Sequence, residues 1–241
     1  METTIIKDFY DSFAKEQVKT GINERHHLIL ELALTNGLKD GMRVLELGCG
    51  IGTLTGLLAE RLPNGHLVAM DLSPESIAHA RSFFIGRTNV ELRVADVVSD
   101  PLGGPYDLIV LPDILEHIPL VRHNELFQHL REALQPNGQI LVHSPDPFYS
   151  EWLRKNRPGS QQVVDLALHL PELVATFSQA GLCLLHYQRH SIWTEQPDYM
   201  AFSLVHVPVD PAFTPIVSTT SWAARSKQVI KKRSRRSSFA R

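Results

Sequence analysis

The chain has 241 residues, 43% of them hydrophobic, enough for one substantial core without division into two domains. Two cysteines, Cys49 and Cys183, exclude a disulfide-stapled scaffold; no apolar run approaches the ~20 residues of a membrane-spanning helix and no leader-like pattern opens the sequence, so a cytoplasmic location is expected. The formal charge of −2 hides an asymmetry: eight basic residues and no acid lie beyond Asp210, leaving 16 basic against 26 acidic residues elsewhere, an acidic body that excludes a grip on duplex nucleic acid.

In chain order, residues 5–36 predict two helical stretches, with Phe9, Tyr10 and Phe13 in the first and Leu28, Ile29 and Leu32 in the second, Arg25 standing just before that second stripe. Arg43 to Leu47 is a short apolar run between Gly41 and Gly48, the pattern of a strand buried on both faces. After it, leucines at 54, 57, 58 and 62 mark an amphipathic helix closed by Pro63-Asn64-Gly65. Gly48, Gly50 and Gly52 therefore fall in a strand-to-helix turn, where residues without Cβ let the backbone approach a ligand beside unpaired helix N–H groups. The spacing is not the G-x-G-x-x-G of a dinucleotide site, because Thr53 stands where the third glycine should be.

His66 to Met70 predicts a second strand ending at Asp71, and Ser73-Pro74-Glu75 opens the next helix with an N-cap, a proline at the first helical position and an acid in the first turn. Val90 to Val94 predicts a third strand, followed by Ala95-Asp96-Val97, and Tyr106 to Leu111 a fourth, followed by Pro112-Asp113-Ile114-Leu115-Glu116-His117-Ile118-Pro119. A helix with apolar positions 126, 127, 130 and 134 leads to a turn at Leu134 to Gly138 and a fifth strand from Gln139 to His143. The stretch from Ser144 to Leu170 reads as an insertion: a proline-fixed turn carrying Phe148 and Tyr149, then Trp152, a polar loop, Asp165 and His169. Leu182 to His186 and Ala201 to Val207 suit the last two strands. From about Pro211 the composition predicts a solvated basic tail without fixed structure beyond a short helix near 222–232, with contact to an anionic surface as the alternative.

The segment Val44 to Gly52 resembles motif I of the class I S-adenosylmethionine-dependent methyltransferases, a hydrophobic-hydrophobic-acid-hydrophobic-G-x-G-x-G pattern, and Asp71 and Asp96 follow in that family's order. The run from Asp113 to Ile118 resembles the D-x-L-E-H-I segment of small-molecule members similar to the ubiquinone-pathway and sugar methyltransferases. The resemblance implies an α/β, Rossmann-like three-layer sandwich whose seven-stranded, mostly parallel sheet runs 3-2-1-4-5-7-6 with the last strand antiparallel. It implies an N-terminal helical lid (1–36), a methyltransferase domain (37–210) with its acceptor insertion at 144–170, and the tail (211–241). It also implies S-adenosylmethionine as cofactor, held by Glu46 and the Gly48, Gly50 and Gly52 loop, by Asp71 on the ribose with Leu72 beside it, by Asp96 and Val97 at the adenine, by Pro112, and by Arg25 on the methionine carboxylate. Leu134-Gln135-Pro136-Asn137-Gly138 departs from the family's L-x-P-G-G turn at Asn137, a residue that tolerates the left-handed conformation.

The acceptor expected is a small molecule, with oxygen ahead of nitrogen or carbon as the methylated atom. A hydroxyl acceptor has a proton to lose, and histidine suits that task. His117 ranks first as the base, then His169, then His143, all at the carboxyl-end side of the sheet. No metal is expected, since Glu116 and His117 are adjacent and adjacent residues rarely face one ligand on a regular helix. Leu111-Pro112-Asp113-Ile114 lacks the N-P-P-Y or D-P-P-Y run of amino-group methyltransferases acting on polymers. The alternatives left open are a protein, lipid or RNA acceptor, and a noncatalytic cofactor-binding partner protein.

Overall fold

The computed structural model describes residues 19–158 and 165–208. The first predicted N-terminal stretch with Phe9, Tyr10 and Phe13, the part of the predicted Arg154 to Gln162 polar loop beyond 158, and the basic tail lie outside those residues. In chain order the elements are α1 (Glu24–Thr35), β1 (Arg43–Leu47), α2 (Thr53–Glu60), β2 (His66–Asp71), α3 (Pro74–Phe83), β3 (Val90–Val94), β4 (Tyr106–Pro112), α4 (His123–Ala133), β5 (Leu134–Pro145), α5 (Pro147–Asn156), α6 (Leu170–Gln179), β6 (Leu182–His190) and β7 (Tyr199–His206). Two short 3₁₀ turns, Leu115–His117 and Leu120–Arg122, join β4 to α4.

The seven strands form one sheet in the order β3-β2-β1-β4-β5-β7-β6. Strands β1 to β5 pair in parallel, and β7 runs antiparallel to both β5 and β6, as the resemblance implied. Side chains alternate across the central strands and feed two apolar layers. Leu45, Val68, Ile109 and Val142 face the side covered by Leu126, Phe127 and Leu130 of α4 and Leu173 and Phe177 of α6. Val44, Leu67, Leu108 and Leu141 face the side covered by Ile29, Leu32 and Ala33 of α1 and Leu54 and Leu58 of α2. Edge-to-face packing of Phe127 on Phe177 at 6.0 Å locks α4 to α6, and such ring pairs add about 0.5–1.5 kcal/mol beyond area burial.

Four boundaries differ from the sequence reading. Leu134 to Gly138 is no free turn but the start of β5, with a register break opposite Tyr106 and Leu108. Pro145 to Tyr149 does not stay a turn: Asp146 caps α5 by accepting from the Phe148 and Tyr149 N–H groups, and Pro147 occupies the first turn, where its missing N–H costs nothing. β6 continues past His186 to His190, and β7 begins at Tyr199 rather than Ala201. The last two changes bring Tyr199 against β5 and put His190 opposite it on β6, its ring within reach of His143.

A cavity at the carboxyl ends of the strands

The carboxyl ends of β1, β2, β4 and β5 open into a cavity of about 410 Å³, within the roughly 300–1,000 Å³ range of small-ligand sites. Its wall includes Glu46, Gly48, Gly50, Asp71, Leu72, Asp96, Val97, Pro112, Arg25 and His117. Those residues come from five separate stretches of chain, and four of them meet because the parallel sheet delivers the turns that follow its strands to one edge.

Glu46 is an acid inside an apolar strand. It lies two residues from Val44 and so points to the α1–α2 side of the sheet, where it is fully buried and its Oε2 accepts from the Thr55 hydroxyl at 2.7 Å. Burial, only partly offset by that hydrogen bond, pushes its carboxyl up to about 7. Its Oε1 has no hydrogen-bond partner among the described residues, an arrangement that costs free energy unless a ligand donates to it.

The glycine turn divides into two roles. Gly48 (φ +77°) is in the wall, and a Cβ there would lie 2.9 Å from Ile114 Cδ1. Gly52 (φ +87°) is the N-cap of α2 and stands outside the wall: a Cβ there would lie 2.8 Å from Phe84 and 3.2 Å from Ala80, so it serves the packing of α2 on α3. Cys49 is buried, and burial pushes its thiol well up, away from nucleophilic use.

Asp71 is held at the tip of β2 by two backbone donors, Gly50 N–H to Oδ2 at 2.8 Å and Ser73 N–H to Oδ1 at 2.9 Å. The carboxylate thereby ties the glycine turn to the next strand. Asp96 accepts from Val98 N–H at 3.0 Å, from the Ser99 hydroxyl at 3.0 Å and from Arg122 at 3.3 Å. Burial acts to raise its carboxyl, but these donors outweigh it and the net shift is downward, which keeps Asp96 ionised.

Beyond β4 the wall changes character. Asp113 has φ +53°, the only described residue other than glycine with a positive φ, and Asp is one of the few side chains that tolerate it. Its Oδ2 meets Arg25 Nη1 at 2.8 Å and its Oδ1 meets His143 Nδ1 at 2.5 Å. Burial would raise Asp113, but His143 and Arg25 hold it well below the usual carboxylate range. Glu116 is buried, accepts from the Ser144 hydroxyl at 3.0 Å, and is pushed well up by burial and by the charge of Asp113. His117 Nε2 lies 3.9 Å from Glu116 Oε1, its ring largely covered but in the wall.

The three histidines singled out from the sequence end in different places. His117 reaches the cavity. His143 is 0% exposed and sits behind Asp113, stacked on Tyr199 with ring centroids 4.9 Å apart. His169 caps α6, is partly exposed, and pairs with Glu151 at 2.8 Å outside the wall. Trp152, expected at the same cavity, is also outside its wall, with its indole half exposed next to Tyr149.

The sequence reading missed His26, Asp165 as a wall residue, and Tyr199. His26 accepts from Asn23 N–H through Nδ1, and burial and Arg25 push it down to about 4. Tyr199, buried and near Asp113, is pushed up to about 12 and stays a neutral phenol. The Asn-x-x-His capping box before α1 was the one readable signal for His26.

Comparison with known proteins agrees with this geometry. Residues 10–191 match the family described as a methyltransferase domain. The chain is 32% identical over 115 residues to a trans-aconitate 2-methyltransferase of Streptomyces avermitilis (46% of this chain, 42% of that protein) and 36% identical over 123 residues to one from Escherichia coli O1:K1 (51% and 47%). It thus matches about half the length of those relatives. Among solved structures, magnesium protoporphyrin IX methyltransferase from Synechocystis PCC 6803 with bound SAH superposes with a TM-score of 0.65 at 18% identity, covering 86% of this chain and 100% of that one. The match over most of the chain, together with the sheet order and the cavity at its carboxyl edge, establishes that this chain belongs to the methyltransferase domain family, with the class I S-adenosylmethionine-dependent fold.

Proposed function

We propose that the chain transfers the methyl group of S-adenosylmethionine to a hydroxyl oxygen of an uncharged small molecule. The observation that carries this reading is the cavity itself, whose wall holds acids from successive strand tips together with His117, Asp165 and Tyr199.

The residues present fit the cofactor. Glu46 Oε1 is a buried acceptor without a donor among the described residues, and Gly48 brings bare backbone to the wall at a point where a Cβ would run into Ile114. Asp71 would accept the ribose hydroxyls, Asp96 the adenine amine, and Leu72 and Val97 would pack beside them. Arg25 would meet the carboxylate and Glu46 the ammonium of the methionine end, pairings that suit a planar guanidinium and a buried acid. Bound there, the cofactor supplies an already activated methyl group, so the protein's part is to align the acceptor and exclude water.

His117 is the residue placed to take the acceptor's hydroxyl proton on its imidazole nitrogen. His26 also lines the cavity, but its Nδ1 already accepts a backbone N–H, so the neutral ring presents only an Nε2–H donor. Six carboxyl groups and one guanidinium, that of Arg25, stand in the described wall, and Arg25 is tied to Asp113. Asp96 stays ionised, burial raises Glu46 and Glu116 toward their neutral forms, and Arg25 is taken up by Asp113, so the described wall suits the cationic cofactor and offers an anionic acceptor no further guanidinium or ammonium group. That supports a hydroxyl acceptor over a polycarboxylate like the one in the name of the trans-aconitate methyltransferases.

The test is S-adenosylhomocysteine formation with a panel of phenols, alcohols and amines alongside trans-aconitate. The expected result is turnover of a hydroxyl compound, with trans-aconitate slower by about tenfold or more. Turnover of trans-aconitate or an amine ahead of every hydroxyl compound would overturn the proposal.

A further inference from the structure

His143 touches nothing in the cavity, yet it is the most constrained polar side chain behind it. Its backbone carbonyl accepts from Asp113 N–H at 2.9 Å while its Nδ1 meets Asp113 Oδ1 at 2.5 Å, so two bonds fix one residue to the other. The ring is fully buried, stacked on Tyr199 and bonded through Nε2 to His190 Nε2 at 3.1 Å. Tyr199 in turn stands against Arg25, whose guanidinium binds the other oxygen of Asp113. Arg25, Asp113, His143 and Tyr199 thus close a circuit across α1, the β4 turn, β5 and β7.

Arg25 sits on the first turn of α1, its long side chain held by Asp113 at 2.8 Å and by Tyr199, and a guanidinium whose plane is fixed beforehand loses less freedom when it binds a carboxylate with two parallel bonds. Asp113 supplies that plane, but its own backbone adopts a left-handed conformation that persists only where surrounding contacts over-determine it. His143 provides those contacts.

We infer that His143 is a positioning residue for the amino-acid end of the cofactor, acting through Asp113 on Arg25, and not the base that removes the acceptor's proton. The inference rests on the cofactor reading given above. It assigns to the rear face of β5 a task in cofactor selection: to separate ligands that carry the methionine carboxylate from nucleosides that lack it.

Two probes distinguish this role from a merely structural one. S-adenosylhomocysteine carries the amino-acid end, and 5′-methylthioadenosine has the same adenine, ribose and sulfur without it. His143→Phe keeps a ring on Tyr199 and removes the donor to Asp113. It is expected to weaken S-adenosylhomocysteine about tenfold, the worth of one hydrogen bond to a charged group, and to leave methylthioadenosine within about twofold. His143→Asn restores an N–H donor near Nδ1 and is expected to recover affinity to within about threefold.

The wild-type chain gives a readout that needs no variant to fold. In nitrogen-15-labelled histidine spectra the His143 Nδ1–H signal, identified by its loss in the Asn variant or by its coupling to Asp113, should move on addition of S-adenosylhomocysteine and stay in place with methylthioadenosine. Equal weakening of both ligands by the Phe variant, no weakening of either, or an Nδ1–H signal indifferent to both would overturn the inference. Failure of the wild-type chain to bind either ligand would overturn the cofactor reading along with it.

Discussion

The two ends of the cavity are built by different means. At the end proposed for adenosine, Glu46, Gly48, Asp71 and Asp96 each sit at or just past the end of a strand, and most of their bonds are local, Asp71 to Ser73 and Asp96 to Val98 and Ser99, with Gly50 to Asp71 and Arg122 to Asp96 as the longer links. At the other end, where the methionine tail of the cofactor would meet the acceptor, the groups come from segments far apart in sequence: Arg25 to Asp113, Asp113 to His143, Glu116 to Ser144, with Tyr199 closing the set. A local arrangement is written in consecutive residues and tolerates change elsewhere. A dispersed one depends on the sheet register.

If that contrast is right, changes at the two ends should damage different steps. The largest effect is expected at His117. His117→Ala should lower turnover about 100-fold or more, the usual worth of a general base, with S-adenosylhomocysteine affinity held within about threefold. A turnover rate unchanged in saturating cofactor would remove His117 from the mechanism.

Next comes Asp71→Ala, which removes the expected ribose acceptor and frees the Gly50 and Ser73 N–H groups at once. Cofactor affinity should fall by about tenfold to 100-fold in a titration, while the rate at saturation changes less. Loss of rate without loss of affinity would break the division between the two ends.

A smaller effect, read as stability, separates Glu46 from its neighbours. Its carboxyl lies near 7 in the folded chain against 4.5 when solvated, so the folded state holds a proton that the unfolded state has released. That contribution to stability is complete below about 4.5 and is lost as the pH rises toward about 7. In the ligand-free chain this fall is set against the opposite effect of His26 and His190, both pushed down to about 4 by burial, whose stabilising contribution grows as the pH rises toward 6.5. Glu46→Gln removes the falling part, so its Tm should rise more, or fall less, with pH across the window than that of the wild type. An unchanged slope in the Gln variant would show that Glu46 is already ionised.

The smallest effect is expected at His169. With its ring on Glu151 and outside the wall, His169→Ala should leave turnover within about twofold, as surface substitutions usually do. A large loss there would put α6 into the acceptor site.

The same contrast explains what could be read from the residues alone. The strand-turn-helix at Arg43 to Leu62 was legible because buried strands, turn glycines and a leucine stripe each leave their own period, and the acids at 71 and 96 fall at fixed places in that grammar. Gly52 looked like a ligand residue because spacing cannot tell a glycine that admits a cofactor from one that admits Phe84. Pro136-Asn137-Gly138 carries turn chemistry, and pairing with β4 overrides it to make the start of β5. Tyr199 opens β7 after a loop whose end no periodicity marks, two residues before the apolar run from Ala201. The circuit around Asp113 joins residues from 30 to 174 positions apart, and no local pattern encodes such a meeting.

The most direct measurement of the central claim is a calorimetric titration of the chain with S-adenosylhomocysteine, repeated with Asp71→Ala. The cavity as described predicts one site per chain, binding between about 1 μM and 1 mM as cofactor-using enzymes do, and weakened by about tenfold or more in the variant. No heat at millimolar ligand, or a wild-type curve that Asp71→Ala leaves unchanged, would contradict it.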